Sequence, residues 1–239
     1  MMKVKLIGYT SPADCIPELA SAICVGKENN HPQLDGELTE ESAELLNKGL
    51  THAIRAGHLG VLEHVSFTWY AEGLSRACTH QLVRHRIASY NQQSQRYCKI
   101  DTNEDWYVIP ESIADNTAAK QEYYKAMNGI ATIYKELIEG GIPKEDARMI
   151  LPNACKTKIV ITMNARAFIE ASEKRLCNRA QWEIRELFSL MKKEVIRLYP
   201  MIAYLANPRC LKRGCIEAKP CGHPPKGGEM ATCQTFRNS

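Results

Sequence analysis

Arg84-His85-Arg86-Ile87-Ala88-Ser89-Tyr90-Asn91-Gln92-Gln93-Ser94-Gln95-Arg96 crowds three arginines and a histidine among amides and hydroxyls. Guanidiniums this close repel one another unless anions separate them. Each offers the planar fork that phosphate and carboxylate accept in bidentate fashion. The serines, asparagine and glutamines between the charges supply neutral donors and acceptors of the kind that read a sugar or a base edge. The stretch therefore reads as a nucleotide pocket. The alternative is a solvated basic loop, or a helix end whose positive charges face the macrodipole.

Working outward, Ser75 can cap a helix running through about Arg86, with Ala77, Leu82 and Val83 as its apolar residues. The stretch is then expected to begin on a helix end and run into a loop. Residues 63–71 alternate, with Val65, Phe67, Trp69 and Ala71 on one face, which predicts a half-buried strand. Residues 39–57 predict a helix capped by Thr39, with Glu40 and Glu41 in its first turn. Leu46, Leu50, Ala53 and Ile54 form its stripe, and Gly57 is its stop. The N-terminal Met1–Gly8 reads as a first strand.

Downstream, a helix over 116–139 ends at Gly140-Gly141, and Pro143 opens another that stops before Pro152. Ile159-Val160-Ile161 leads into Asn164, followed by a helix through about Leu176. Residues 180–199 predict the last long helix, with Trp182, Leu187, Leu190, Met191 and Leu198 inward. From Asn207 prolines and glycines crowd the chain, so packing is expected to stop near there. The expected class is α+β, with helices packed around a small, mostly antiparallel sheet. One domain over 1–206 and a Cys/Gly/Pro-rich tail over 207–239 complete the expected organisation.

A net charge of +4 over 239 residues is too mild for a general nucleic-acid binder, so no nucleic-acid partner is expected. The sequence shows no long apolar run and no signal-peptide core, which predicts a cytoplasmic protein without a membrane partner. In that compartment most of the ten cysteines are expected as small buried hydrophobes or inert thiols. There is no G-x-G-x-x-G after a strand and no G-K-[ST] loop, so a dinucleotide would not sit in a Rossmann crevice.

The opening stretch resembles the signature of the flavin-dependent thymidylate synthases, R-H-R-x-x-S-x-N-x-x-S-x-R. Every fixed position is present, at Arg84, His85, Arg86, Ser89, Asn91, Ser94 and Arg96. Gly57-His58-Leu59-Gly60-Val61-Leu62-Glu63-His64 is similar to the family's G-H-x-x-x-x-E-H stretch near the flavin. Ala147-Arg148-x-x-Leu151-Pro152 resembles the setting of its substrate-binding arginine. The resemblance spans roughly residues 40–200 as a series of matched motifs.

It implies a fold that is the family's own, and reductive methylation of deoxyuridine monophosphate (dUMP) to thymidylate (dTMP). Methylenetetrahydrofolate would be the one-carbon donor and NADPH the reductant through FAD, in a homotetramer with sites at subunit interfaces. Carried over position by position, it implies His58, Gly60, Glu63, Arg84, His85, Arg86, Asn91, Gln92, Asn164, Arg166, Glu170 and Arg179 at the flavin. Gln81, Arg84, Gln92, Gln93, Ser94, Gln95, Arg96, Arg148 and Arg175 would hold dUMP. Arg175 would be catalytic, since a fixed positive charge beside the uracil favours its ionised form. Ser94 would bind phosphate; no histidine follows it at the spacing of an activated dyad.

Gly60 stands where the family often has Ser or Thr, and two further positions depart from its pattern. Glu170 stands where Asn or His is common, and Lys174 stands where an apolar residue is usual. Arg175 and Arg179, four apart, are expected to share a helix face. Cys210-x4-Cys215-x5-Cys221-x-His223, with Cys233 beyond, lacks the C-x2-C spacing of common zinc sites. The tail is expected as a solvent-facing extension without metal. Two rival readings stand beside the enzyme: a nucleic-acid module with a zinc-stabilised tail, and a flavin enzyme acting on another nucleotide.

Overall fold

Period-2 burial along its two central strands gives this chain one antiparallel sheet, in the order β1-β2-β4-β3 among the described residues. Its strands are β1 (Lys3–Tyr9), β2 (Ser66–Ser75), β3 (Ser89–Gln92) and β4 (Lys156–Asn164). The helices are α1 (Ile16–Ile23), α2 (Arg76–Leu82), α3 (Glu111–Ala114), α4 (Thr117–Glu139), α5 (Lys144–Ala147), α6 (Ala165–Arg175), α7 (Trp182–Val195) and α8 (Pro200–Leu205). The computed structural model describes residues 1–11, 16–27, 34, 51, 54, 56–103, 105–212 and 214–224. The α+β class expected from the sequence is the one found. None of the described helices is long and apolar enough to cross a membrane.

The chain divides into two compact units, and every strand contributes residues to both. Unit 1 comprises Met1–Lys3, Ala71–Arg84 and Asn91–Ile159. In it, Ser75 Oγ accepts from the Cys78 N–H at 3.0 Å and caps α2 as expected. The helix stops at Leu82 rather than near Arg86, because past Leu82 no residue of its apolar stripe is buried to offset further ordering. α4 starts on Asn116, whose side chain accepts from the Ala119 N–H. It ends where Gly141, at φ +82°, lets Ile142 N–H reach Leu137 O at 3.0 Å. Its buried Met127 and Tyr134 pack with Ile100, Trp106, Ala147 and Cys155. The segment opened by Pro143 forms α5, then a 3-10 turn over Arg148–Ile150.

Unit 2 comprises Val4–Tyr70, His85–Tyr90 and Val160–Ser239. Val65, Phe67 and Trp69 are fully buried, as the alternation predicts. Leu59–His64 is a 3-10 turn, however, so β2 begins later than residue 63 and runs on to Ser75. Phe67, Trp69, Phe168, Phe188 and Tyr199 form the core, with Trp69 and Phe168 centroids 5.1 Å apart. α6 is capped by Asn164 and α7 by Gln181, each accepting from an N–H three residues on. Trp182 is exposed, contrary to expectation, because it lies off the stripe Ile184, Leu187, Phe188, Met191 and Val195.

Packing does not stop at Asn207. Pro200 opens α8, buried Lys192 donates to Asn207 Oδ1 at 2.9 Å, and Lys212 pairs with Glu173 at 2.6 Å. Residues on both sides of 206 thus lie in the same unit. Of the expected helix over 39–57, most lies outside the described residues. Thr51 and buried Ile54 are helical, and Gly57, at φ +84°, donates to Ile54 O.

Candidate active site

In unit 2 the first cluster is built on His85. Arg175, in the last turn of α6, donates from Nε to His85 Nε2 at 2.8 Å. An accepting Nε2 carries no proton, so this imidazole is neutral with its hydrogen on Nδ1. Its pKa is pushed down to about 4, first by burial and then by the positive charges of Arg175 and Lys174. Tyr90 donates its hydroxyl to His85 O at 2.9 Å, and burial pushes its phenol up to about 12 against the pull of Arg175. The His85 ring lies 5.9 Å from that of Phe188 in the aromatic core.

The second cluster of unit 2 is built on Arg166, in the first turn of α6. Its guanidinium donates to Glu63 at 2.7 Å and to Glu170 at 3.1 Å, and the two carboxylates hold its pKa above the usual value. His58, Gly60, Arg166 and Glu170 line one cavity of about 900 Å3. A Cβ at Gly60 would meet nothing within 4 Å, so this rim is open. Asn164 spends its carbonyl on the cap of α6. Arg179 stands apart from this group. α6 ends at Arg175 and a helix restarts only at Trp182, so Arg175 and Arg179 do not share a helix face. The Gln181 cap is what forces the restart. Arg179 instead donates to Lys219 O and faces Glu217 at 3.8 Å. Arg86 is exposed.

The signature does not run into a loop; its middle forms edge strand β3, whose residues from Asn91 on belong to unit 1. Period-2 hydrophobicity could not mark this strand, because Ser89, Asn91 and Gln92 are polar on both faces. Gln92 Nε2 donates to Thr79 Oγ1 and Thr157 Oγ1, both at 3.2 Å, and the Gln93 N–H reaches Lys158 O at 2.9 Å. Ser94 turns the chain: its Oγ accepts from the Arg96 N–H at 3.2 Å and its O from the Cys98 N–H. Gln95 is buried, with Nε2 3.5 Å from Cys155 Sγ.

Beyond the turn, the Arg96 guanidinium pairs with the Glu145 carboxylate, while Arg148 Nε donates to Glu145 O at 3.1 Å. Arg76 lies within electrostatic reach of Arg148, and burial above all lowers its pKa. The Arg96 guanidinium thus already holds a carboxylate. Gln81 is half-buried in α2; Arg84 and Asn91 are exposed.

Residues 5–201 match the family model described as thymidylate synthase complementing protein. The flavin-dependent thymidylate synthase of Geobacter sulfurreducens is 43% identical over 217 residues, 90% of this chain and 91% of its own. That of Pyrococcus furiosus is 46% identical over 190 residues, 75% of this chain and 78% of its own. The chain belongs to the flavin-dependent thymidylate synthase family. The resemblance carried by the signature is therefore borne out.

Two solved structures share the family fold at lower identity. Thymidylate synthase X from Helicobacter pylori, with FAD and dUMP, gives a TM-score of 0.68 at 22% identity, covering 89% of this chain and 100% of that one. A UMP/dUMP methylase from Streptomyces cacaoi, bound with 5-Br dUMP, gives 0.71 at 21%, covering 87% and 96%. Within this family frame, Thr79, Tyr90, Glu145 and Thr157 bond to the named residues although no motif marks them, and Arg76 lies in electrostatic reach of Arg148. Only Arg76 carried a signal in the sequence. A cation as the first residue of a helix opposes the macrodipole, which points to another reason for its place.

Proposed function

We propose that this chain methylates dUMP to dTMP, with methylenetetrahydrofolate as one-carbon donor and NADPH as reductant through FAD. It works as a homotetramer whose sites form where copies meet. The observation that carries the catalytic assignment is the bond from Arg175 to a neutral His85. A neutral acceptor fixes the guanidinium without cancelling its charge. Arg175 is then the catalytic residue, lowering the pKa of the uracil N–H and polarising the ring.

The residues of unit 2 fit a flavin dinucleotide in size and donor chemistry: a cavity of about 900 Å3, an open rim at Gly60, and the Arg166 guanidinium. When bound, FAD supplies the hydride chemistry that no side chain has. His58, Gly60, Glu63, Arg84, His85, Arg86, Asn91, Gln92, Asn164, Arg166, Glu170 and Arg179 are assigned to it. For its pyrophosphate, Arg166 must leave Glu63 or Glu170. Gln81, Arg84, Gln92, Gln93, Ser94, Gln95, Arg96, Arg148 and Arg175 are assigned to dUMP. Arg96 exchanges the Glu145 carboxylate for the phosphate, and Arg148 and Arg76 add charge.

The tetramer is supported by apolar side chains exposed beside these residues: Val83, Tyr97 and Met149, the last 82% exposed. A cytoplasmic place is supported by free thiols such as Cys24 and Cys98. The test is an anaerobic absorbance titration of the full chain loaded with FAD and reduced by NADPH. Adding dUMP and methylenetetrahydrofolate is expected to reoxidise the flavin and release dTMP. A protein that stays colourless after FAD is supplied overturns the reading. Light scattering tests the tetramer.

A further inference from the structure

Four cysteines converge on a second cavity of unit 2, of about 580 Å3. Cys177 enters from the turn between α6 and α7, and Cys210, Cys215 and Cys221 from the segment after α8. All four are free thiols. The frame around them is cationic: Lys174, Arg175, Arg179 and Arg209 against Glu173 and Glu217 leave a net charge of +2. A divalent ion held by four thiolates carries the complementary charge of −2. Arg209 also lines this cavity, and its Nε is buried without a hydrogen-bond partner among the described residues. That is the kind of N–H donor that supports ligating sulfurs.

The segment over 214–224 has little else to hold it. Its one large apolar side chain, Ile216, is exposed. Its anchors are bonds from Asn178 to His223 O and from Arg179 to Lys219 O, with the Arg179–Glu217 pair. A short piece without a core needs a staple.

We propose that Cys177, Cys210, Cys215 and Cys221 form a zinc site that fastens this segment to the turn between α6 and α7. All-sulfur ligation selects a borderline-soft ion of tetrahedral preference, which zinc satisfies without redox chemistry. Each thiol releases its proton to solvent as Zn2+ binds, so no oxidant is required. Among the described residues no three such groups already stand at ligand spacing. Binding therefore turns the thiols inward and is coupled to docking of the segment. The spacing within the tail could not reveal this set, because Cys177 lies outside the tail and completes it.

The test uses the full chain, purified reduced and without chelator. Metal analysis is expected to find one zinc per chain. After stripping and refilling, Co2+ is expected to give the intense visible bands of a tetrahedral thiolate site. Cys177→Ser is expected to lower zinc affinity by at least about 100-fold, while Cys24→Ser leaves it unchanged. A reduced chain that neither retains nor takes up zinc overturns the proposal. So do iron–sulfur absorbance, mapped disulfides among the four, or full occupancy in Cys177→Ser. Should that variant fail to fold, hydrogen exchange of the native chain decides. Zinc is expected to protect residues 207–224, and unchanged protection overturns the site.

Discussion

Two arginines of this chain meet opposite partners. Arg175, in unit 2, is half-buried and bonded to a neutral imidazole. Arg96, in unit 1, is exposed and paired with the Glu145 carboxylate. The first rests on an acceptor that carries no charge. The second is paired with an opposite charge. A fixed charge that must act on a reacting ring is best held by a neutral acceptor. A charge that must take up and release a phosphate can be held by an exchangeable carboxylate.

The largest expected effect breaks the first half of that contrast. Arg175→Ala is expected to cut kcat for dTMP formation by about 10^3-fold, while FAD binding followed by flavin fluorescence stays within a few fold. Equal losses in both would mean that Arg175 acts through the cofactor instead. Arg96→Ala is next, expected to raise KM for dUMP by about 10- to 100-fold with a smaller change in kcat, as a lost charge-assisted phosphate contact does.

The pH dependence sharpens the comparison. The pKa of His85 is depressed from 6.5 to about 4 in the folded chain. Above 6.5 it is neutral folded and unfolded, and its contribution to stability is complete. Below 6.5 the unfolded chain takes the proton first, so that contribution is lost as pH falls toward about 4. An NMR titration of the His85 ring is expected to show a midpoint near 4. A midpoint near 6.5 would dissolve the contrast, since His85 would then be protonated in mild acid and could not accept from Arg175.

The smallest effects come from the carboxylates. Glu145→Gln is expected to lower KM for dUMP, and Glu170→Gln the Kd for FAD, by about two- to fivefold each, shrinking as salt rises. Titrations at two salt concentrations would check both. Weaker binding in either variant would make the carboxylate a positioning group rather than a competitor.

Much of this was legible in the chain, and the losses have specific causes. The inward face of β2, the cap at Ser75, and the end of α4 at Gly140-Gly141 follow from side-chain alternation, a capping oxygen and glycine's access to positive φ. These are local effects, so a local string carries them. β3 escaped because an edge strand of polar residues has no hydrophobic period to read. Trp182 was misplaced because burial on α7 depends on which stripe the aromatic core selects. The expected face shared by Arg175 and Arg179 failed because the Gln181 cap restarts the helix.

By itself, then, the sequence determined the α+β class, the family signature at Arg84–Arg96 and the inventory of arginines, since each is a matter of residue types at fixed spacing. Only the tertiary structure decided their partners. It gave Arg175 a neutral histidine 90 positions away, Arg166 two carboxylates, Arg96 the Glu145 side chain, and Cys177 a cavity shared with three later thiols. Charge state, pKa and ligand sets depend on distances through space, and spacing along the chain does not encode them.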